Sequence, residues 1–465
     1  MMILVTVLTL LVVALPLCCV LFRTIHLDGL MCGSAVLSIC MIFYLIVPLL
    51  YLLFPGARDD SMHFNVLLST FSTEELLMEM LLCAVLLAFM TLAYVLRREN
   101  NRLTLPNSRA FRLPRMGQEM WQDINRRSLR WLLPLAHGLL FLGVLSMLMC
   151  IHGAGGLSTY LALGALTRGI GKDASSLLPS SYLPFVTLSV VILAPPYLYR
   201  FALRSAEKPW CFHLLFWLSL LMALLYLLYN QGRLPLLLFL LPFVLDWKPV
   251  RRMGIFGLLL LFLLSCLSLE LLQRLFSYLA YGVWRSPEGS SLLEVVLREF
   301  TYPFSSFANR DTLMRTLGYR LGIDLVQWPV IVLPSGVSRL VGIDKSTFTT
   351  LAEELTSAYA AVTELPTAGG IPADMMFFLY AQGGYFTLLA GLGILMRLLH
   401  ACDTRLKRLQ CNEAARLLVI RAALLSVSCV NNFDISVILR TRTDLLVMLA
   451  ALLTLSRSAA EEGSI

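Results

Sequence analysis

The chain has 465 residues, 58% of them hydrophobic and 14% charged, with a formal net charge of +8 and a mean hydropathy of +0.78. A soluble globular domain cannot carry that much apolar surface, so the composition excludes one and specifies an all-α, polytopic integral membrane protein. The positive balance sits in loops between apolar runs, as membrane topology demands, and gives no ground for nucleic-acid binding.

Apolar runs long enough to cross about 30 Å of hydrocarbon at 1.5 Å per residue fall at residues 2–22, 30–54, 75–96, 131–151, 181–200, 210–229, 254–270, 375–396, 414–430 and 438–456. A shorter run covers 234–245, so about eleven helices are expected by this criterion. The first run lacks a basic n-region and an A-x-A-like site and reads as a retained helix, not a secretory signal. Most cysteines, among them Cys32, Cys40, Cys83, Cys150 and Cys429, lie inside these runs and residues 271–374 have none. They read as small apolar packing residues, not as a disulfide or zinc framework.

Lys and Arg accumulate in short cytoplasmic loops. Arg97, Arg98, Arg102, Arg109, Arg112, Arg115, Arg126, Arg127 and Arg130 mark residues 97–130 as such a loop. That cluster reads as a topological anchor on anionic lipid or as a docking site for a cytoplasmic partner. Counting helices both ways puts Arg200, Arg204 and Lys208, then Lys248, Arg251 and Arg252, then Arg397, Arg405, Lys407, Arg408 and Arg416 on the same side, with the C-terminus. The N-terminus, Asp59 and Asp60, residues 152–180 and a long polar segment at 271–374 fall outside. Three units follow: transmembrane helices in 1–270, a large external loop with short amphipathic helices at 271–374, and C-terminal transmembrane helices in 375–465.

Some arginines break the charge rule. Arg233, in Asn230-Gln231-Gly232-Arg233-Leu234-Pro235, and Arg440 and Arg442 stand at outer helix junctions. Each either snorkels to lipid headgroups or forms an anion site, for which the guanidinium fork suits phosphate oxygens. Within the large loop, Leu297-Arg298-Glu299-Phe300-Thr301-Tyr302-Pro303 closes one helical stretch, and Asn309-Arg310-Asp311-Thr312-Leu313-Met314-Arg315 opens another, with Arg320 and Arg339 beyond. Here the alternative to an anion site is a local ion pair such as Glu294 with Arg298 at i, i+4. Trp328-Pro329 to Pro334 reads as a segment in the membrane interface. Asp311, Glu353, Glu354, Asp374 and Asp434 are the outer-side acids able to take a proton from a hydroxyl, and spacing does not choose among them. The six histidines are scattered, no metal-ligand spacing occurs, and no metal or other cofactor is expected.

Several of these features, in order, resemble the Wzy-type oligosaccharide repeat-unit polymerases of bacterial envelopes: Gln231-Gly232-Arg233 before a short apolar helix, Leu297-Arg298-Glu299, Trp328-Pro329 to Pro334-Ser335-Gly336, Gly369-Gly370-Ile371-Pro372-Ala373-Asp374 leading to Tyr380-Ala381-Gln382-Gly383-Gly384-Tyr385, and Arg440. The resemblance implies a GT-C-like, metal-independent glycosyltransferase in the bacterial inner membrane, working at its periplasmic face. Its substrates would be undecaprenyl-pyrophosphate-linked glycans, and its partners membrane lipid and a chain-length regulator. Arg233, Arg298 and Arg440, with Arg442, Arg315 and Arg320 behind them, would hold the departing pyrophosphate. Asp311 or Asp434, ahead of Glu354 and Asp374, would deprotonate the acceptor hydroxyl.

The rivals are an O-antigen ligase, which would place a histidine in the large outer loop, where residues 271–374 have none, and a lipid-linked oligosaccharide flippase. A flippase would show internal symmetry and several mid-span charges. Repeated halves are not visible, and the apparent mid-span charges, Glu79 and Arg421, are expected near helix ends. A purely structural assembly factor is a third possibility.

Overall fold

The computed structural model describes residues 12, 14, 16–21, 24–25, 30–58, 62–103, 118–161, 179–205, 210–230, 233–252, 264, 271–272, 274–275, 278, 284, 292–333, 338, 341–344, 347–365, 370–409 and 412–462. Every regular element among them is helical, and six helices are long and apolar enough to cross a membrane. Five of these lie in the first half of the chain. The segment Cys32–Leu53 (α1) contains a π turn at Ile42–Ile46. A short helix, His63–Ser69 (α2), leads into Thr73–Leu103 (α3), Gln118–Gly153 (α4), Pro184–Ser205 (α5) and Trp210–Asn230 (α6). The short apolar run becomes Arg233–Leu245 (α7). The expected spans at 2–22 and 254–270 fall largely outside the described residues, so the count of eleven is not reached by what is described.

The large loop is a chain of short helices: Leu292–Phe300 (α8), Tyr302–Ala308 (α9), Arg310–Leu317 (α10), Ile323–Val332 (α11) and Leu351–Thr363 (α12). Met375–Ala381 (α13), Gly384–Leu409 (α14), Arg416–Asn431 (α15), Ile435–Thr441 (α16) and Thr443–Glu462 (α17) complete the fold.

Two expected spans are broken. The run at 375–396 turns at Gln382-Gly383, and the membrane-length helix begins at Gly384, whose φ is +73°. The residues before the turn are apolar because protein covers them: Met375, Met376, Phe377, Phe378 and Ala381 are fully buried. Hydropathy alone cannot distinguish that environment from lipid. The run at 438–456 breaks at Arg442, between α16 and α17. Arg421 also departs from its expected place near a helix end. It lies inside α15, is 2% exposed, and bonds to Asp444 through Nη2 and to the Leu238 carbonyl through Nη1 at 2.7 Å. Charge inside a span is costly unless paired, and the partner is supplied from another helix.

The polar contacts between helices sort into two groups. In one, Asp403 Oδ1 and Oδ2 accept from the backbone N–H groups of Cys32 and Gly33 at 2.9 and 2.8 Å, and the Tyr94 hydroxyl donates to Oδ2 at 2.7 Å. The carboxylate thereby satisfies the exposed donors at the start of α1. Arg204 pairs with Asp246 at 2.6 Å in the same group, and Asn125 exchanges amide bonds with Asn412. In the other, Ser305 donates to the Phe64 carbonyl at 2.9 Å, His63 Nδ1 meets Thr363 Oγ1 at 2.6 Å, and Phe433 N–H donates to the Ala373 carbonyl at 2.8 Å. The loop helices are not a separate body. Phe304, Phe307, Leu313, Leu351 and Tyr359 share one hydrophobic core with Tyr44, Met80 and Leu87 of α1 and α3.

Candidate functional site

Local chemistry sets the helix ends that carry the polar residues. Pro303 occupies the first turn of α9, where a missing N–H costs nothing. Gly318 (φ +72°) stops α10 and Gly322 (φ +82°) starts α11, in a left-handed region that glycine enters without strain. Thr350 and Glu353 form a capping box at α12, with the Thr350 hydroxyl accepting from Glu353 N–H at 3.2 Å and the Glu353 carboxylate accepting from Thr350 N–H at 2.9 Å.

The centre of the second group is Arg310, the first residue of α10. Its Nη1 and Nη2 donate to the two Glu79 carboxylate oxygens at 2.5 and 3.2 Å, Nη1 also to the Phe307 carbonyl at 2.9 Å, and Nε to the Tyr385 hydroxyl at 2.9 Å. The guanidinium lies 4.9 Å from the Phe307 ring centroid and 5.5 Å from that of Tyr385. Burial opposes its charge, but the hydrogen-bonded Glu79 carboxylate outweighs that and holds Arg310 above its ordinary value. Arg310 is thus a brace between the loop and α3.

Next to it, Asp311 is exposed and accepts a 2.8 Å hydrogen bond from the Tyr380 hydroxyl, which in turn lies 3.5 Å from that of Tyr319. Arg315 is exposed one turn further along α10, at i+4 from Asp311, so carboxylate and guanidinium stand on one open face. Helical spacing makes these two expected residues neighbours on α10.

A second cluster holds Arg320 and Glu354. Arg320 Nε and Nη2 reach Asp324 at 3.1 and 2.7 Å, Nη1 reaches Glu354 at 2.6 Å, and Nη2 the Thr349 carbonyl at 3.2 Å. Gln327 and Gln382 donate to the same Asp324 carboxylate at 2.8 and 2.9 Å. The hydrogen-bonded Asp324 holds Arg320 above its ordinary value, against the effect of burial. Two carboxylates facing one guanidinium commit both Arg320 and Glu354 to each other, not to a passing anion or hydroxyl.

Asp374 and Asp434 are buried helix caps. Asp374 accepts from the N–H groups of Met376 and Phe377 at 3.0 and 3.2 Å and from the hydroxyl of Tyr44, which sits in the π turn of α1. Burial pushes its carboxyl up to about 7, against the pull of those donors. Asp434 Oδ1 accepts from Ser436 N–H and hydroxyl at 2.9 and 2.6 Å. With 0% and 2% exposure, neither offers surface to a sugar. Arg233 opens α7, Arg298 lies in α8 and Arg440 in α16; their side chains lie outside the described residues. Arg442 is half-buried at the break before α17. Among the described residues no three His, Cys, Asp or Glu side chains gather as a metal site.

Sequence reasoning missed the roles of Glu79, Tyr380 and Tyr385. Glu79 had a readable signal, an acid in an otherwise apolar run. The tyrosines had none, because only the turn at Gln382-Gly383 brings the two rings to 5.1 Å. Comparison with models of protein families, with curated proteins and with solved structures finds no match.

Proposed function

We propose that this chain is a membrane-embedded glycosyltransferase that extends a lipid-diphosphate-linked glycan at the outer face of the bacterial inner membrane, as the Wzy-type polymerases do. The observation that carries the reading is the exposed flank of α10, where Asp311, beside the Arg310–Glu79 brace in sequence, and Arg315 lie one helical turn apart. Asp311 takes the proton from the acceptor hydroxyl as that oxygen attacks the anomeric carbon. Arg315, with Arg233, Arg298, Arg440 and Arg442 from the helix junctions, stabilises the negative charge on the departing diphosphate. The Tyr380 hydroxyl orients the carboxylate of Asp311 toward its substrate.

The test is the surface-glycan ladder of a strain lacking the chain, complemented with wild type or with Asp311→Asn at equal expression. Loss of a polymerase leaves a single repeat on the acceptor core, loss of a ligase leaves none, and loss of a flippase traps lipid-linked units inside. Removing a general base costs about 10²–10⁴-fold in rate, so Asp311→Asn is expected to give the single-repeat pattern. A wild-type ladder in that variant would exclude Asp311 as the base, and an empty or unchanged ladder in the deletion strain would exclude the polymerase reading.

A further inference from the structure

Helix α11 is built inside out. The positions it turns toward the protein are polar: Asp324 is 3% exposed and Gln327 7%. The positions it turns outward are apolar: Leu321, just before it, is 83% exposed, Val326 76%, and Ile323 and Leu325 49% each. A helix covering a water-facing surface has the opposite arrangement, with its apolar stripe against the core. Leu321 is held outward by backbone, not chance. It lies at φ +48° between two left-handed glycines, a conformation disfavoured for leucine. It is fastened on both sides by Arg320 N–H to the Ala381 carbonyl at 2.8 Å and Gly322 N–H to Gln382 Oε1 at 3.2 Å.

Those two bonds join the knob to the turn from which α14 starts. This membrane-length helix displays Phe386, Ile394 and Leu398 at 81%, 57% and 60% exposure. Tyr319, at the base of the knob, lies tilted against Tyr380 with ring centroids 6.1 Å apart, and the Tyr380 ring meets that of Tyr385 at the head of α14. The knob and the head of that span therefore adjoin, with Tyr319 between them. Trp328 follows one turn into α11. Aromatic residues of this kind occupy the boundary between headgroups and acyl chains.

We propose that Leu321, Ile323, Leu325 and Val326 are inserted among lipid acyl chains, so that α11 anchors the external loop in the outer leaflet beside α14. The inverted polarity favours lipid over a protein partner: the face is aliphatic, borders an apolar span, and carries no polar group at its outward positions. The Arg320–Asp324–Gln327–Gln382 network is the rigid plate on which the anchor is mounted. The inference holds whatever reaction the chain performs.

The experiment uses the full chain in nanodiscs of phosphatidylethanolamine and phosphatidylglycerol containing a phospholipid with a photoactivatable diazirine on its acyl chain. After irradiation, the peptide from Leu321 to Arg339 is expected to carry lipid adducts at a level comparable to the α14 peptide containing Phe386. The double variant Leu321→Asp, Val326→Asp changes only exposed positions. It should lower adducts on the first peptide by about tenfold, as charge is expelled from hydrocarbon, and leave the α14 peptide and the elution profile unchanged. Absence of adducts on residues 321–339 while α14 is labelled would overturn the proposal. So would labelling that the double variant does not reduce, or capture of this face by a second protein in native membranes with no lipid adducts.

Discussion

Arg310 carries a full charge with 7% of its side chain exposed, and its hydrogen bonds to Glu79 and Tyr385 depend on the loop meeting α3 and α14 correctly. Truncating one partner of a buried pair costs about 3–5 kcal/mol because the other charge is left alone. Glu79→Ala is therefore expected to lower the thermal midpoint markedly in detergent, with Glu79→Gln intermediate because one acceptor survives; equal midpoints for all three forms would show that the brace is not structural. Asp374 gives a pH signature. Its folded-state carboxyl lies at about 7, above its ordinary 3.8, so the fold disfavours the ionised form. The contribution is fully present below about pH 4 and is lost as pH rises through about 7. Asp374→Asn keeps the acceptor for Tyr44 and the two backbone donors, and should raise the midpoint at about pH 8 more than at about pH 5. Equal shifts at both would mean that the acid is ionised in the fold. None of these partnerships could be read along the chain: Arg310 and Asp311 were visible as a polar helix start, but what separates brace from open acid is the fold around them.

At the scale of the element, helix starts were legible where side chains cap them locally. Thr350 with Glu353 is a pattern within four residues; read along the chain Glu353 is an outer-side acid, and the structure makes it a capping residue. Hydropathy also located α1, α3, α4, α5 and α6, since a lipid-crossing helix must be apolar over its whole length. It misjudged 375–381 because burial against the external loop demands the same residues, and it set Arg421 near a helix end because the buried partner Asp444 lies on another helix. The Arg421–Asp444 pair, 2% and 1% exposed at its side chains, ties α15 to the first turn of α17. A double-mutant cycle should show Arg421→Met and Asp444→Leu each destabilising by about 3–5 kcal/mol, with the combined variant recovering most of the loss. Additive losses would mean that the two charges act independently.

At the scale of the whole molecule, composition specified an all-helical membrane protein, while the merging of loop and spans into one core was hidden because those contacts join distant parts of the chain. Glu79 and Arg310 are separated by 231 residues. At about 5–20 residues per second, on the order of 10–50 s of translation pass between the two. Throughout that interval the nascent third helix holds an acid that lacks its partner in the finished fold. Ribosome-released fragments ending before residue 310 should accordingly be short-lived in a pulse-chase, and Glu79→Leu should lengthen their survival. Completion of this part of the fold is thus expected to wait for the synthesis of one guanidinium.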